Sequence, residues 1–254
     1  MEGSPTPLPA DVANTSKPLW GRPSKRILLG AVWPLLFASF FGSLLLATHW
    51  FPSHYDWRYR VISNLLSPRD NPRAYWIPSL GISVAGLLMI PLTAHLDPFL
   101  KSISQPGSRA IRIAFSLGIY ALIASALVVP QHSRPILGSS RWHEIFADAS
   151  ALGMETAILG ACWCAGIAHY SPPRNGRQSH ALLFWAWTVL SVLPTGGVAL
   201  SEGLLLYSHS HSQAAETLRN WLVNSVFWHL GFWEWTAATA VFLFLGIGVY
   251  LVPD

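Results

Sequence analysis

Six apolar runs follow one another along this chain, and each is long enough for the ~20 residues that a bilayer-spanning helix requires. They fall near 27–50, 76–96, 110–130, 143–170, 181–206 and 222–252. Hydrocarbon offers no partner to an unpaired backbone N–H or C=O, so open strands are excluded there. A closed barrel needs short segments of alternating polarity, and none of these runs alternates. Charge agrees with this reading, since only 11% of the residues are Asp, Glu, Lys or Arg, against roughly 25% in a typical soluble protein. The expected fold is therefore all-α: a polytopic bundle of six transmembrane helices, with a short interfacial helix after the first.

Residues 1–26 differ in kind. They are polar, hold five prolines between Pro5 and Pro23, and cannot bury a core, so they read as a disordered tail. Residues 27–252 form the membrane domain. Sixteen basic residues against twelve acidic ones give a net charge of +4. That excess is too dispersed for a nucleic-acid footprint, and the partners expected are membrane lipids. With the N-terminus inside, the inner segments hold nine basic residues and the outer connections seven. This balance leans toward both termini, tail included, in the cytoplasm of a cell (plasma or inner) membrane.

From Tyr55 to Leu66 the apolar residues Trp57, Val61, Ile62, Leu65 and Leu66 recur at helical spacing, with Arg58 and Arg60 between them. The pattern predicts an amphipathic helix at headgroup level, ended by Ser67-Pro68-Arg69-Asp70-Asn71-Pro72. Pro194 and Gly196-Gly197 predict a kink in the fifth run.

Ionisable groups inside the spans are the informative signal, because each costs several kcal/mol unless it meets water or a partner. Glu144, Asp148 and Glu155 share one face of the fourth run, the fifth adds Glu202, and the sixth adds His229 and Glu234. With the 51–75 connection above them, Glu144, Asp148, Glu202, His229 and Glu234 are expected to line an outward-facing polar pocket for a lipid headgroup, a cation or a protein partner. Two other chemistries fit the same residue types. In a metal-dependent lipid hydrolase, His143, Asp148 and His229 would hold zinc. In a proton-coupled transporter, Asp148, Glu155 and Glu202 would form the relay. Plainer readings stand beside these. Ser140, His143 and Glu144 form a water-facing helix start, His229 is a packing histidine bonded to Ser225, and Glu234 pairs with an arginine or another helix. Cys162 and Cys164 point to different helix faces and read as packing residues.

The stretch Arg60-Val61-Ile62-Ser63-Asn64-Leu65-Leu66-Ser67-Pro68 after the first run, Trp142-His143-Glu144 opening the fourth, and Gly231-Phe232-Trp233-Glu234-Trp235 in the last form an ordered set. This set resembles the bacterial six-helix membrane proteins of unknown function related to the Frag/DRAM/Sfk group. The likeness covers about residues 30–252 and implies the six-helix fold without implying an activity. Asn64 stands where that group usually has an acidic residue, and Trp235 where it has a basic one. Ile62-Ser63-Asn64-Leu65 also resembles part of the intramembrane zinc hydrolases of the alkaline-ceramidase type. That likeness implies Ser63, His143, Asp148 and His229 as site residues and leaves one zinc ligand missing.

Overall fold

The computed structural model describes residues 23–128, 142–170, 196, 213–222, 225–226 and 229–252. Among the described residues all regular structure is helical. The elements are α1 (Lys25–His49), α2 (Ser63–Leu66), α3 (Trp76–Ile103), α4 (Gln105–Leu127), α5 (Trp142–Tyr170), α6 (Gln213–Leu222) and α7 (Leu230–Leu251). Five of them, α1, α3, α4, α5 and α7, are long and apolar enough to cross a membrane, so the chain is an all-α polytopic bundle. The run near 181–206, with Pro194, Gly197 and Glu202, lies outside the described residues apart from Gly196. So do the tail to residue 22, Ser140, His132, His209 and His211.

α1 carries Pro34, whose ring would collide with the carbonyl four residues back in a regular helix. Two wide π-helical turns, Leu28–Val32 and Ala38–Gly42, bracket it. Each wide turn absorbs extra chain. As a result Leu28, Leu36, Phe40 and Leu44, spaced in multiples of four, all stay buried on one face. That face packs on α7 through Phe37, Phe40 and Phe41, whose ring centroids lie 4.9–5.7 Å from that of Phe242. The Trp33 indole N–H donates to the Phe242 carbonyl at 2.8 Å, and it reaches that oxygen over Gly246, where a Cβ would strike the indole.

Neighbouring helices run in opposite directions. Lys25 at the start of α1 donates to the Val252 carbonyl just past α7, while Phe41 stacks on Trp235 in the opposite half. The two described ends of the chain therefore lie on the same side of the bundle. Ser104 caps α4 by accepting from Gly107 N–H, and Pro106 fits the first turn. At this end Asp97 takes a 2.7 Å hydrogen bond from Ser108 and an ion pair from Lys101. α4 and α5 cross at Gly118 and Gly153, where a Cβ on either would lie 2.8–2.9 Å from the backbone of the other helix. Tyr170 and His229 stand at opposite ends of the bundle as a result.

Candidate functional site

The 51–75 connection folds over the end of the bundle where α1 finishes and α3 and α7 begin. The continuous amphipathic helix expected over Tyr55–Leu66 is replaced by a turn at Asp56–Arg60, a break at Val61, and the single helical turn of α2. The reason lies in competing hydrogen bonds. The Tyr55 hydroxyl is shared between the Arg60 and Val61 carbonyls at 3.0 and 3.1 Å, and the Glu234 carboxylate accepts from Ile62 N–H at 2.7 Å. Those backbone groups are thus held by side chains and do not continue a helix. Burial pushes the Tyr55 phenol well above its ordinary range, with the Glu234 charge adding to the effect. It remains a proton donor throughout the physiological pH range.

Two further features fix the connection. Gly231 at the start of α7 lies against Arg60: a Cβ there would sit 2.5 Å from the Arg60 carbonyl oxygen and 2.7 Å from its carbon. Only glycine lets the two backbones approach this closely. On the other flank Asn71 is fully buried. Its amide nitrogen donates to the Leu65 carbonyl at 3.2 Å and to Ala47 at 3.4 Å, tying the Ser67–Arg73 turn to α2 and to the end of α1. Asn64 reaches Asp70 within the same turn.

What this clamped connection presents is aromatic and basic. Trp50, Trp57, Tyr59 and Trp76 are all exposed, as rings at headgroup level are. Arg58 forms a two-pronged ion pair with Asp56 at 2.7 and 2.9 Å. Its guanidinium holds the Asp56 carboxyl down at about 2, so the pair stays ionised and carries no net charge above that pH. Arg60 leans on Phe51 and donates to Ser53. Arg69 and Arg73 are exposed on either side of Asn71 and form no ion pair with a described residue. Arg60 likewise has no carboxylate partner among the described residues but is half-buried, which leaves Arg69 and Arg73 as the exposed unpaired arginines of the described connection.

The residues expected to line one pocket divide. His229 and Glu234 both engage the connection: the His229 ring meets Tyr59 edge-on at 4.5 Å, and Glu234 holds Ile62. The expected His229–Ser225 bond is absent, for the buried Ser225 hydroxyl has no hydrogen-bond partner among the described residues, and the His229 ring packs on Tyr59 instead. One partner of Glu234 is a backbone N–H, that of Ile62 in the connection. Glu144 and Asp148 are exposed on α5, with no hydrogen bond or ion pair to a described residue. Glu155, deeper on the same helix, is half-buried. Glu202 lies outside the described residues.

His143 departs furthest from expectation. It is buried rather than water-facing, and its Nδ1 lies 2.7 Å from the Ser125 carbonyl and 3.2 Å from that of Val128. Carbonyls only accept, so Nδ1 carries the proton and caps the free end of α4. Five residues separate His143 from Asp148, which turns the two about 140° apart on the helix. Among the described residues no three His, Cys, Asp or Glu side chains converge on a point where a metal could sit. Cys162 and Cys164 are both buried, as packing residues are.

Sequence reasoning overlooked Asn71 as an anchor, although an Asx residue before Pro72 in a turn was a visible signal. It also overlooked α6, which falls between the fifth run and the start of the last. Comparison with known proteins returned no matching family model, no matching curated protein and no matching solved structure.

Proposed function

We propose that this protein recognises the phosphate of an anionic lipid headgroup at the clamped 51–75 connection, with Arg69 and Arg73 as donors. The observation that carries this reading is the pair of exposed arginines, with no ion pair to a described residue, on a turn anchored by buried Asn71 and flanked by exposed Trp50 and Trp76. Guanidinium groups suit phosphate because their donors are fixed in a planar fork. A turn already held in place pays little ordering entropy when it binds. In this reading His229 and Glu234 position the connection and do not touch the lipid, and Glu144 and Asp148 form a separate acidic stripe on α5. The chain crosses a plasma or inner membrane six times with both ends in the cytoplasm, which puts the connection at the outer leaflet. The opposite placement of Tyr170 and His229 supports an even number of crossings, and the basic-residue balance supports the orientation.

Native mass spectrometry of protein released from mixed phosphatidylcholine and phosphatidylglycerol micelles tests this. Wild type is expected to retain phosphatidylglycerol in preference. At about 1 kcal/mol for each basic residue near an anionic lipid, the Arg69→Gln/Arg73→Gln double variant should lose about thirtyfold in that preference. Arg58→Gln should change it little, because Asp56 already neutralises Arg58. Equal retention by wild type and the double variant would remove the assignment.

A further inference from the structure

α6 is the least partnered helix of the described chain. Within it Gln213, Ala214, Glu216, Thr217, Leu218, Asn220 and Trp221 are all exposed, Trp221 to 74%. The sequence supports a helix locally: Glu216 favours the first turn, and the Thr217 hydroxyl bonds back to the Gln213 carbonyl at 2.9 Å. A helix of only ten residues is nonetheless marginal in water unless an apolar face is packed. Ala214, Leu218 and Trp221 lie at i, i+4 and i+7, on one face. Glu216 and Asn220 lie on the opposite side, at about 200° and 240° from Ala214. The apolar face is formed, and no described part of the protein covers it.

Position says what does. Residues 223–229 alone separate α6 from α7, which begins where Gly231 meets Arg60 and Phe232 stacks on Trp57. This is the end of the bundle that carries the exposed rings of Trp50, Trp57, Tyr59 and Trp76. We infer that α6 lies in the plane of the membrane interface, with Ala214, Leu218 and Trp221 turned into the boundary between headgroups and acyl chains and with Glu216 and Asn220 in water. The lipid surface is its partner and supplies the apolar packing that a helix this short requires. The indole of Trp221 suits the depth, being apolar in body with a polar N–H for the headgroup layer. The inference depends on the chain spanning a membrane and not on headgroup recognition by Arg69 and Arg73.

Single cysteines at 214, 216, 218, 220 and 221, spin-labelled in the full chain in lipid nanodiscs, test it. The native Cys162 and Cys164 are buried and serve as the unlabelled background. Labels at 214, 218 and 221 should collide with oxygen, which concentrates in lipid. Labels at 216 and 220 should collide with a water-soluble nickel chelate. Hydrogen exchange on the unsubstituted chain gives a second readout: amides 213–222 should be at least about tenfold better protected in nanodiscs than in a lipid-free amphipathic polymer. Nickel access at all five positions would overturn the inference, as would shielding of 214, 218 and 221 from both reagents, which would mean a protein partner. Equal protection in both media would overturn it as well.

Discussion

Gly153→Val is expected to loosen α5 from α4 and to cost about 3 kcal/mol, the upper end of the range for overpacking. The added Cβ would lie 2.9 Å from Gly118 Cα and N and 3.1 Å from the Ala114 carbonyl. Backbone cannot rotate out of the way as a side chain can, so the helices must separate. In lipid, association gains little from hydrophobic transfer and depends on such close van der Waals packing, so the loss has no easy compensation. The measurement is the midpoint of thermal or denaturant unfolding in nanodiscs. Two comparisons sharpen it. Gly160→Ala meets the Ile111 side chain at 2.9 Å, which can shift, and should cost less. Gly42→Ala meets nothing within 4 Å and should be neutral or slightly stabilising through helix propensity. Wild-type stability in Gly153→Val would mean that α4 and α5 do not cross at this point.

Glu234→Ala carries the second large effect. It leaves the Ile62 N–H without its charged acceptor, at a cost of about 1.5–3 kcal/mol for a hydrogen bond of this kind. That is about ten- to 140-fold in the opening equilibrium of the connection. The expected result is faster hydrogen exchange at Ile62 and new proteolytic cleavage within 56–66, with the α1–α7 aromatic cluster intact. Glu234→Gln keeps a carbonyl oxygen at the same place and should lose only part of the protection. Equal exchange at Ile62 in wild type and Glu234→Ala would show that Gly231 and Tyr55 hold the connection without the carboxylate.

The contrast between these sites explains what the sequence could and could not reveal. Helix positions followed from run length and the backbone demands of lipid, and α1, α3, α4 and α5 begin and end within a few residues of expectation, apart from longer polar ends on α3 and α4. The last run failed at its start, because residues 222–229 are apolar enough to extend it while the chain breaks before Leu230. α6 escaped because its apolar residues form a stripe and not a run, so counting apolar length erased it. The wide turns of α1 were hidden for a different reason: Pro34 announces a disturbance in the ladder, but not that the helix answers it by widening.

Among the site residues, Glu234 stood out because a carboxylate in an apolar helix is costly. Its contact with Ile62 could not be read, since that is a backbone N–H 172 residues away, and every residue type but proline has one. His143 misled for the same reason. Beside Glu144 it resembled a solvated helix start, yet its ring serves two carbonyls of the preceding helix, 15 and 18 residues away. Arg69 and Arg73 were visible as charges, but only the bidentate Arg58–Asp56 pair separates the cations left over from those already neutralised.

A photoreactive phosphatidylglycerol with its diazirine on the headgroup, exchanged into the outer leaflet alone and mapped by mass spectrometry, tests headgroup recognition at the connection most directly. Adducts concentrated within residues 50–76, and competed away by unlabelled phosphatidylglycerol but not by phosphatidylcholine, are the predicted result. Adducts there only when the inner leaflet is loaded would reverse the orientation. Adducts absent from 50–76 with both leaflets loaded would contradict headgroup recognition by Arg69 and Arg73.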